Sequence, residues 1–266
     1  MKKRIRVLVF TSVVLVVSSV LFGVCVPGAV AAEKQYGGIF KLILYSRPGT
    51  PIGWPPEMSY RDVTVSQVPL ESLLRLRYDL TTEPMLATSW DIAPDMRSIT
   101  FNLRKGVKFH DGTDFNAKAA KFNLDGLKSA KKAGTQVWTA IDILDDYKIK
   151  VSLSKWDNTM LESIGTSQMV SPAAFKTMGL EKVRWHPVGT GAYKFVSHVH
   201  DVGTKFTRFD GYWKGKPYLD GLEIMYIVDP MTQKAKMLAG EADANWSPNI
   251  KVGSDLKAAG FNVLYN

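Results

Sequence analysis

The sequence predicts an α/β lobe that carries an inserted hairpin-rich subdomain. Short apolar runs with strand periodicity alternate with runs of helical periodicity along most of the chain. Between residues 89 and 112, strand-like runs are separated by two turns of only a few residues, which is typical of a meander of short strands. Because no internal repeat or low-complexity linker interrupts the pattern, we expect the strands and helices to share packed cores.

The first part of the chain predicts a buried strand followed by a loop and a helix. Residues 37–45, GGIFKLILY, form the apolar run, and the turn-forming residues 46–51, SRPGTP, end it. A proline-rich loop containing Trp54 comes next. Residues 65–76 then predict a helix, which Pro69 allows only if the helix begins near that residue.

A meander of strands is predicted next. Residues 99–103, ITFNL, alternate between apolar and polar side chains, as in a strand with one buried face. Val107 and Phe109 repeat this pattern after a turn at Arg104-Lys105-Gly106. Asp111-Gly112 supplies a position with positive φ for another turn before the chain enters a helix.

The rest of the chain predicts further helices and hairpins. Asn116 is a suitable N-cap for a helix over residues 117–130. The later predictions are two strands within 141–153, helices at 160–164 and 173–178, a hairpin over 193–209, a strand at 222–228, a helix at 231–239 and a short strand at 242–246.

Residues 1–32 predict a secretory signal peptide. A basic start, MKKRIR, precedes an apolar run over residues 7–26 and a small-residue exit, AVAA, with cleavage after Ala31 or Ala32. An uncleaved membrane anchor stays open, because the apolar run approaches spanning length. A lipoprotein signal at Cys25 is disfavoured, since Val24 precedes the cysteine where Gly or Ala is expected. We therefore expect a periplasmic or otherwise extracytoplasmic location.

The composition argues against several functional classes. Cys25 is the only cysteine, so a cleaved chain has no thiol for a disulfide, a metal site or a nucleophile. Removal of the four basic residues of the leader lowers the net charge from +9 to +5. The remaining Lys and Arg residues are scattered and match no nucleic-acid-binding module, so we expect no nucleic-acid partner.

No residues have the spacing of a catalytic or metal site. His110-Asp111 lacks further ligands and is interpreted as the start of a turn, and His198 with His200 gives only two ligands near a hairpin tip. Gly189-Thr190-Gly191 is too short for a phosphate loop and is interpreted as a close backbone approach. The neighbouring Asp145-Asp146 side chains diverge. We expect no enzymatic activity, no metal and no cofactor.

Two loops carry the side chains that a small-molecule cleft requires, namely aromatic walls and polar groups at strand ends. The candidate ligand-binding residues are Tyr45, Ser46, Arg47 and Trp54 after the first strand, and Asn245, Trp246 and Ser247 after the last. Each tryptophan suits core packing equally well. Arg47 either pairs with a ligand carboxylate through its guanidinium or is solvated.

Several sequence blocks together resemble the family 5 extracellular solute-binding proteins, the receptors of peptide and nickel ABC importers. The blocks are PMLATSW at 84–90, SWDIAPDMRSITFNLRKGVKFHDG at 89–112, HPVGTGAYKF at 186–195, YWKGKPYLD at 212–220 and AGEAD at 239–243. Two departures are Ala192, where the family usually has Pro, and Lys118-Ala119-Ala120 at the start of a helix. Neither departure carries chemistry.

The resemblance implies a lobe like that of a type II periplasmic binding protein. It implies a signal peptide (1–32), a first segment of lobe I (33–60), an inserted subdomain (61–165) and a second segment of lobe I (166–266). Family members are roughly twice as long as this chain, so the resemblance implies that the second lobe is missing. It also implies that both candidate loops face the cleft, with Trp246 where peptide-binding members have an aromatic residue.

The function implied by the resemblance is solute capture for import. The chain would bind an oligopeptide or a similar small solute and deliver it to an ABC permease of the inner membrane, as a monomer. Peptide, nickel chelate, sugar oligomer and opine carriers share these blocks, so the solute stays open. The alternatives are a non-transport scaffold or interaction lobe, or a gene fragment without solute binding.

Overall fold

Thirteen strands and seven α-helices form within the residues that the computed structural model describes, which are 35–59, 62–77, 79, 81–156, 159–165, 167–246 and 249–264. The strands are β1 (Ile39–Leu44), β2 (Glu71–Ser72), β3 (Leu74–Leu76), β4 (Thr82–Pro84), β5 (Ala87–Ile92), β6 (Ser98–Leu103), β7 (Trp138–Asp145), β8 (Lys148–Leu153), β9 (Gln168–Met169), β10 (Tyr193–Val199), β11 (Gly203–Arg208), β12 (Gly221–Tyr226) and β13 (Ala244–Trp246). The helices are α1 (Val63–Ser66), α2 (Ala117–Ser129), α3 (Met160–Gly165), α4 (Pro172–Met178), α5 (Leu180–Val183), α6 (Pro230–Leu238) and α7 (Ile250–Ala258). The predicted signal segment lies outside the described residues, among which no helix is long and apolar enough to cross a membrane.

The central sheet has five strands in the order β10-β11-β12-β1-β13. β1 pairs in parallel with β12 and β13, so that Leu44 lies beside both Tyr226 and Trp246. β10, β11 and β12 form an antiparallel meander. The register therefore brings the carboxyl ends of three strands to one edge of the sheet, where binding clefts of α/β folds form.

The two faces of the central sheet bury different cores, because successive strand residues point to opposite sides. On one side, Leu44 and Ile224 pack with Ile52 and Val65 from the segment after β1. On the other side, Ile43 packs against α6 and α7 through residues that include Met237, Val252 and Leu256. We call these sides the cleft face and the helix face.

A second sheet, of four strands in the order β5-β6-β8-β7, buries its apolar face against α2. Alternate residues of β6 and β8 are buried, including Phe101 and Ile149, and Leu124 of α2 packs in the same cluster. This arrangement confirms the predicted alternation of residues 99–103 and the two predicted strands within 141–153. Residues Gln35–Asn266 form one compact unit. This grouping does not separate lobe I from the inserted subdomain, so the predicted boundaries between them stay predictions.

Polar caps explain where several helices begin. The side chains of Asn116, Ser171, Asp229 and Asn249 each accept a hydrogen bond from the backbone N–H three residues later. Such a cap satisfies one of the free N–H groups of the first turn and contributes about 1 kcal/mol. The predicted helices at 117–130, 173–178 and 231–239 are confirmed within one or two residues.

Two expectations for the chain before α2 were wrong. Residues 65–76 do not form a helix: α1 ends at Ser66, and β2 and β3 follow Pro69. Pro69 has no N–H to donate, and its carbonyl instead accepts from the N–H of Gly191. Val107 and Phe109 do not form a ladder strand, because the chain closes into a tight turn in which the Phe109 N–H donates to Thr113.

The predicted backbone approach at Gly189-Thr190-Gly191 is confirmed. A Cβ atom on Gly189 would lie 2.1 Å from the Pro69 carbonyl oxygen, and one on Gly191 would lie 2.6 Å from that of Val68. Only glycine lets two backbones approach this closely. The short motif therefore packs one segment of the chain against another.

A buried carboxylate joins three distant segments beside this contact. Glu71 is 3% exposed, and its Oε2 accepts hydrogen bonds of 2.8 Å from the Thr190 hydroxyl and the Trp213 indole N–H. Its Oε1 accepts from the Tyr212 hydroxyl at 2.8 Å. Burial and the charge of Glu71 raise the pKa of Tyr212, which stays a neutral donor. We call these four residues the Glu71 node.

Replacement of the node carboxylate should cost substantial stability. Glu71→Leu leaves three buried donors unpaired, so we expect the free energy of unfolding to fall by about 3 kcal/mol or more, and Glu71→Gln, which keeps one acceptor, to cost less. Urea unfolding followed by tryptophan fluorescence measures both. The matched control is Glu181→Gln at an exposed carboxylate, expected within about 0.5 kcal/mol of wild type. Equal stability of Glu71→Leu and the control would contradict the role of the node.

His110 couples the fold to pH. Its Nε2 donates to the Gly191 carbonyl at 2.8 Å and its Nδ1 accepts from the Gly189 N–H at 3.4 Å, so the ring is neutral. Burial lowers the pKa of His110 to about 4. Because the unfolded chain binds this proton near pH 6.5, the contribution of His110 is fully present above that pH and is lost as the pH falls towards 4.

The His110→Gln variant tests this coupling. Gln keeps a donor and an acceptor but does not titrate, so from pH 7 to pH 5 the stability of wild type should fall relative to the variant by about 2 kcal/mol. Chemical unfolding at each pH measures the difference. His186→Gln removes an exposed ring and serves as the control. A pH-independent difference between wild type and His110→Gln would refute the coupling.

Candidate functional site

A small open cleft lies at the carboxyl ends of β1 and β13, on the cleft face of the central sheet. Its volume is about 90 Å³. The lining residues are Leu44, Tyr45, Ser46, Arg47, Pro48, Asp62, Thr64, Val65 and Trp246. We call this site the β1–β13 cleft.

Two aromatic side chains form its exposed rim. Trp246 is 55% exposed and Tyr45 is 46% exposed, although large apolar groups are usually buried. Trp246 is held in place by the parallel pairing of β13 with β1, where it lies beside Leu44. An exposed indole and phenol offer flat apolar area together with a hydrogen-bonding group. The rim therefore suits contact with a small organic ligand.

The loop that carries Tyr45 is fixed from below by a buried carboxylate. Asp62 accepts hydrogen bonds from the N–H groups of Gly49 at 3.1 Å and Thr50 at 2.9 Å, and from the Thr50 hydroxyl. The Thr50 hydroxyl oxygen in turn accepts from the N–H of Ser59 at 2.8 Å. The acceptors of Asp62 are thus used for loop structure, which holds the wall of the cleft in one conformation.

Arg47 is neither simply solvated nor unpaired. Its Nε lies 2.6 Å from the Asp201 carboxylate at the tip of the β10–β11 hairpin. Both side chains are largely exposed, so the ion pair contributes little to stability. The pair connects the loop after β1 to the far side of the sheet, and a ligand carboxylate would compete with Asp201 for the guanidinium.

A short hydrogen-bond chain lies on the same face, behind Leu44. The Thr204 hydroxyl lies 2.6 Å from the Tyr226 hydroxyl and 2.8 Å from Nδ1 of His198. The His198 ring stacks on Trp185 at 5.1 Å. Burial lowers the pKa of His198 and raises that of Tyr226 to about 12, so both groups are neutral near pH 7. This chain supports the sheet.

The structure brings together only part of the predicted site. Tyr45, Ser46, Arg47 and Trp246 line the cleft, and Ser247 lies outside the described residues. Trp54 packs against Phe175 of α4 at 4.6 Å and against Phe122 of α2, away from the cleft. Asn245 points to the helix face, where its Nδ2 lies 3.4 Å from Oε1 of Gln233. Their roles in ligand binding stay predictions.

Sequence reasoning missed residues that the fold adds to the cleft. Asp62, Thr64 and Val65 enter through α1, which follows the β1 loop. The hydrogen bond from the Gly49 N–H to Asp62 could not be predicted from sequence, because the two residues are 13 positions apart and meet only when the loop between them folds back. In the described part of the chain, no three His, Cys, Asp or Glu side chains cluster as metal ligands, and the rings of His198 and His200 lie 6.4 Å apart.

A larger groove of about 400 Å³ lies beside α6. Its lining includes Val199, Lys205, Glu223, Met225 and Lys236. Lys205 and Glu223 form an ion pair at 2.9 Å across neighbouring strands. The groove runs from the interiors of β11 and β12 to the carboxyl end of β12 at Tyr226 and Ile227, beside the tip of the β10–β11 hairpin.

The fold and the cleft together define the class of protein. An α/β lobe with an aromatic-rimmed cleft at the ends of parallel strands is a ligand-binding architecture. The family described as bacterial extracellular solute-binding proteins, family 5 Middle, matches residues 81–263. The chain therefore belongs to the family 5 bacterial extracellular solute-binding proteins, which confirms the resemblance seen in its sequence.

Individual relatives agree with this assignment. The chain is 35% identical over 187 residues to glutathione-binding protein GsiB of Pectobacterium atrosepticum, covering 67% of this chain and 36% of that protein. It is 30% identical over 263 residues to heme-binding protein A of Haemophilus influenzae, covering 84% of this chain and 48% of that protein.

A solved structure shows the same fold. The periplasmic binding protein DppA of Helicobacter pylori, in complex with the peptide STSA, superposes with a TM-score of 0.74 and 25% identity, over 85% of this chain and 50% of that chain. The fold is thus one lobe of a type II periplasmic binding protein. The chain spans about half or less of the length of the relatives it matches.

Removal of the Asp62 carboxylate should loosen the cleft wall locally. In Asp62→Ala, the amide hydrogens of Gly49 and Thr50 lose their acceptor, and we expect them to exchange at least about ten-fold faster, equivalent to about 1.4 kcal/mol of local protection. Hydrogen exchange read by NMR or mass spectrometry measures the rates. Asp79→Ala removes a similar contact to Thr81 in another loop and serves as the control. Unchanged rates at Gly49 and Thr50 would contradict the role of Asp62.

Proposed function

We propose that the protein is a substrate-binding subunit of an ABC importer, which captures an oligopeptide or similar small solute outside the inner membrane and delivers it to a permease. Membership of family 5 supports the transport role, since the related proteins are named for binding glutathione, heme and dipeptides. The exposed Trp246 at the carboxyl edge of the central sheet is the observation that carries the proposal for this chain.

The chemistry of the β1–β13 cleft favours a peptide-like ligand. The rings of Trp246 and Tyr45 offer flat surfaces that can contact ligand side chains or the peptide plane. The Arg47 guanidinium, which pairs with Asp201, can pair with a ligand carboxylate instead. The pair with Asp201 is solvent-exposed, so exchange of one carboxylate for another costs little. We propose binding without chemical conversion of the solute.

The size of the cleft implies that it is one wall of a binding site. Ligand pockets usually enclose about 300–1,000 Å³, whereas the β1–β13 cleft offers about 90 Å³. We propose that lobe I is built from residues 33–60 and 166–266, with 61–165 inserted, and that a second lobe closes over the cleft. The wall alone should bind weakly, because it desolvates only part of a ligand.

Calorimetric titration with di- to pentapeptides and glutathione tests this proposal. For the 266-residue chain we expect dissociation constants weaker than about 10 μM, and Trp246→Ala should weaken binding at least about ten-fold further, a loss of about 1.4 kcal/mol. Tyr218→Ala, which removes an exposed ring at the opposite edge of the sheet, should leave binding unchanged.

Two results would contradict the proposal. Equal affinity of wild type and Trp246→Ala would remove the β1–β13 cleft from solute binding. Capture of a permease without any measurable binding of peptides would favour the interaction-lobe alternative over solute capture. Submicromolar binding by the isolated chain would overturn the argument that the cleft is a single wall.

A further inference from the structure

Five cationic side chains lie over aromatic rings and have no carboxylate partner within ion-pair distance among the described residues. The guanidinium of Arg104 and the ammonium of Lys214 lie 4.2 Å and 4.7 Å from the centroid of the Trp213 ring. The other three are Lys216 over Tyr36 at 5.4 Å, Lys194 over Phe209 at 5.7 Å and Lys105 over Tyr147 at 5.5 Å. Such contacts hold a cation near the surface without neutralising its charge.

Lys216, Lys194 and the neighbouring Lys214 lie near the amino edge of the central sheet, whereas Lys105 and Tyr147 lie in turns of the four-stranded sheet. The N–H of Gly37, just before β1, donates to the Tyr218 carbonyl at 2.8 Å, and the Tyr36 ring stacks on the Tyr218 ring at 5.2 Å. Gly215, in a positive-φ turn, separates Lys214 from Lys216. Both lysines are exposed, and Tyr36 and Tyr218 are 50% and 49% exposed. Cations and amphipathic rings therefore share one surface.

The nearby carboxylates are already engaged by other groups. Asp210 and Asp220 both pair with Arg208, and Glu83 pairs with Arg75. Glu71 accepts hydrogen bonds from three neutral donors, which leave its negative charge in place. Partial burial and the positive charge of Arg75 lower the pKa of Lys214, and the negative charges of Glu71 and Glu83 oppose this shift in part. The surface carries an excess of positive charge, since seven cations (Arg75, Arg77, Arg104, Lys194, Arg208, Lys214 and Lys216) face four carboxylates (Glu71, Glu83, Asp210 and Asp220), and an anionic partner would complement this excess.

The position of this surface along the chain points to one anionic partner. The apolar run of the leader ends at residue 26, only ten residues before Tyr36. Nine extended residues reach at most about 30 Å. The edge that carries Tyr36 therefore follows closely, along the chain, the predicted membrane-targeting leader.

We propose that this basic aromatic surface, formed by Tyr36, Lys194, Lys214, Lys216 and Tyr218, docks on an anionic phospholipid membrane. Lysine ammonium groups approach the headgroup phosphates, because the negative surface potential of an anionic leaflet attracts them. The exposed Tyr36 and Tyr218 rings lie at the level of the headgroups, where amphipathic rings are enriched. The β1–β13 cleft lies at the other end of β1 and stays open to solvent.

Lysine acetylation tests the proposal on the chain as it is exported, with or without its leader. The protein is mixed with vesicles of pure phosphatidylcholine or of phosphatidylcholine with phosphatidylglycerol, and mass spectrometry reads the rate of acetylation at each lysine. We expect Lys214 and Lys216 to react at least about three-fold more slowly on anionic vesicles at low salt, and protection to vanish in 0.5 M NaCl, because lipid electrostatics is screened. Lys131 and Lys155 in the same molecules should show no difference.

Two charge-reversal double variants with the same net charge distinguish an effect of this surface from an effect of the total charge of the protein. Lys214→Glu/Lys216→Glu should lose salt-sensitive binding to the anionic vesicles, whereas Lys131→Glu/Lys155→Glu, which changes the net charge equally at exposed positions elsewhere, should retain it. Circular dichroism of each variant checks that the fold is intact.

Three outcomes would overturn the proposal. Equal acetylation of Lys214 and Lys216 on both kinds of vesicle would show that the surface does not meet the membrane. Equal loss of binding in both charge-reversal pairs would show that only net charge matters. Protection by free glycerol phosphate at the same phosphate concentration would assign the surface to a soluble anion. None of these outcomes depends on whether the β1–β13 cleft binds a solute.

Discussion

The buried carboxylate of Glu71 is the interaction on which the rest of the structure depends. A carboxylate inside a protein is tolerated only when its lone pairs are hydrogen-bonded, and here Thr190, Tyr212 and Trp213 provide the donors. These residues lie 119 to 142 positions later in the chain. Because all three must be in place together, the node couples the segment that follows α1 to the segments on either side of β10 and β11. The strands of the four-stranded sheet lie between these segments in the chain.

The position of the β1–β13 cleft follows from this constraint and from strand direction. β2 begins at Glu71, so anchoring the node also anchors α1 and the loop before it, and Asp62 then holds Gly49 and Thr50 in the cleft wall. The two buried carboxylates, Glu71 and Asp62, thus have different structural roles. Glu71 aligns segments across the lobe, whereas Asp62 shapes one loop. Asp62 holds the loop that follows Tyr45, whereas the pairing of β13 with β1 sets the position of Trp246.

Much of the fold could be predicted from sequence because its signals are local. Alternation in residues 99–103 and the caps at Asn116 and Ser171 depend on neighbours within a few positions, and the structure agrees with them. The failures concern contacts that have no local signal. Residues 65–76 carry apolar spacing that suits a helix, but Pro69 and the need for Glu71 to reach Thr190 favour extended chain. Tyr45, Ser46 and Arg47 follow β1 as predicted, whereas Asn245 and Trp246 lie within β13, and Trp54 packs against α2 and α4.

Strand direction also determines how membrane docking and solute capture relate. β1 and β12 run in parallel, so the basic aromatic surface at their amino ends and the cleft at their carboxyl ends lie on opposite edges. Six strand residues separate the edges by about 20 Å. A lobe docked through Lys214 and Lys216 therefore turns the cleft away from the headgroups, where a solute can enter from solvent. Delivery then requires the lobe to turn or to leave the membrane. A few lysines that together contribute about 2–3 kcal/mol hold the lobe weakly enough for either motion, whereas a buried anchor would not.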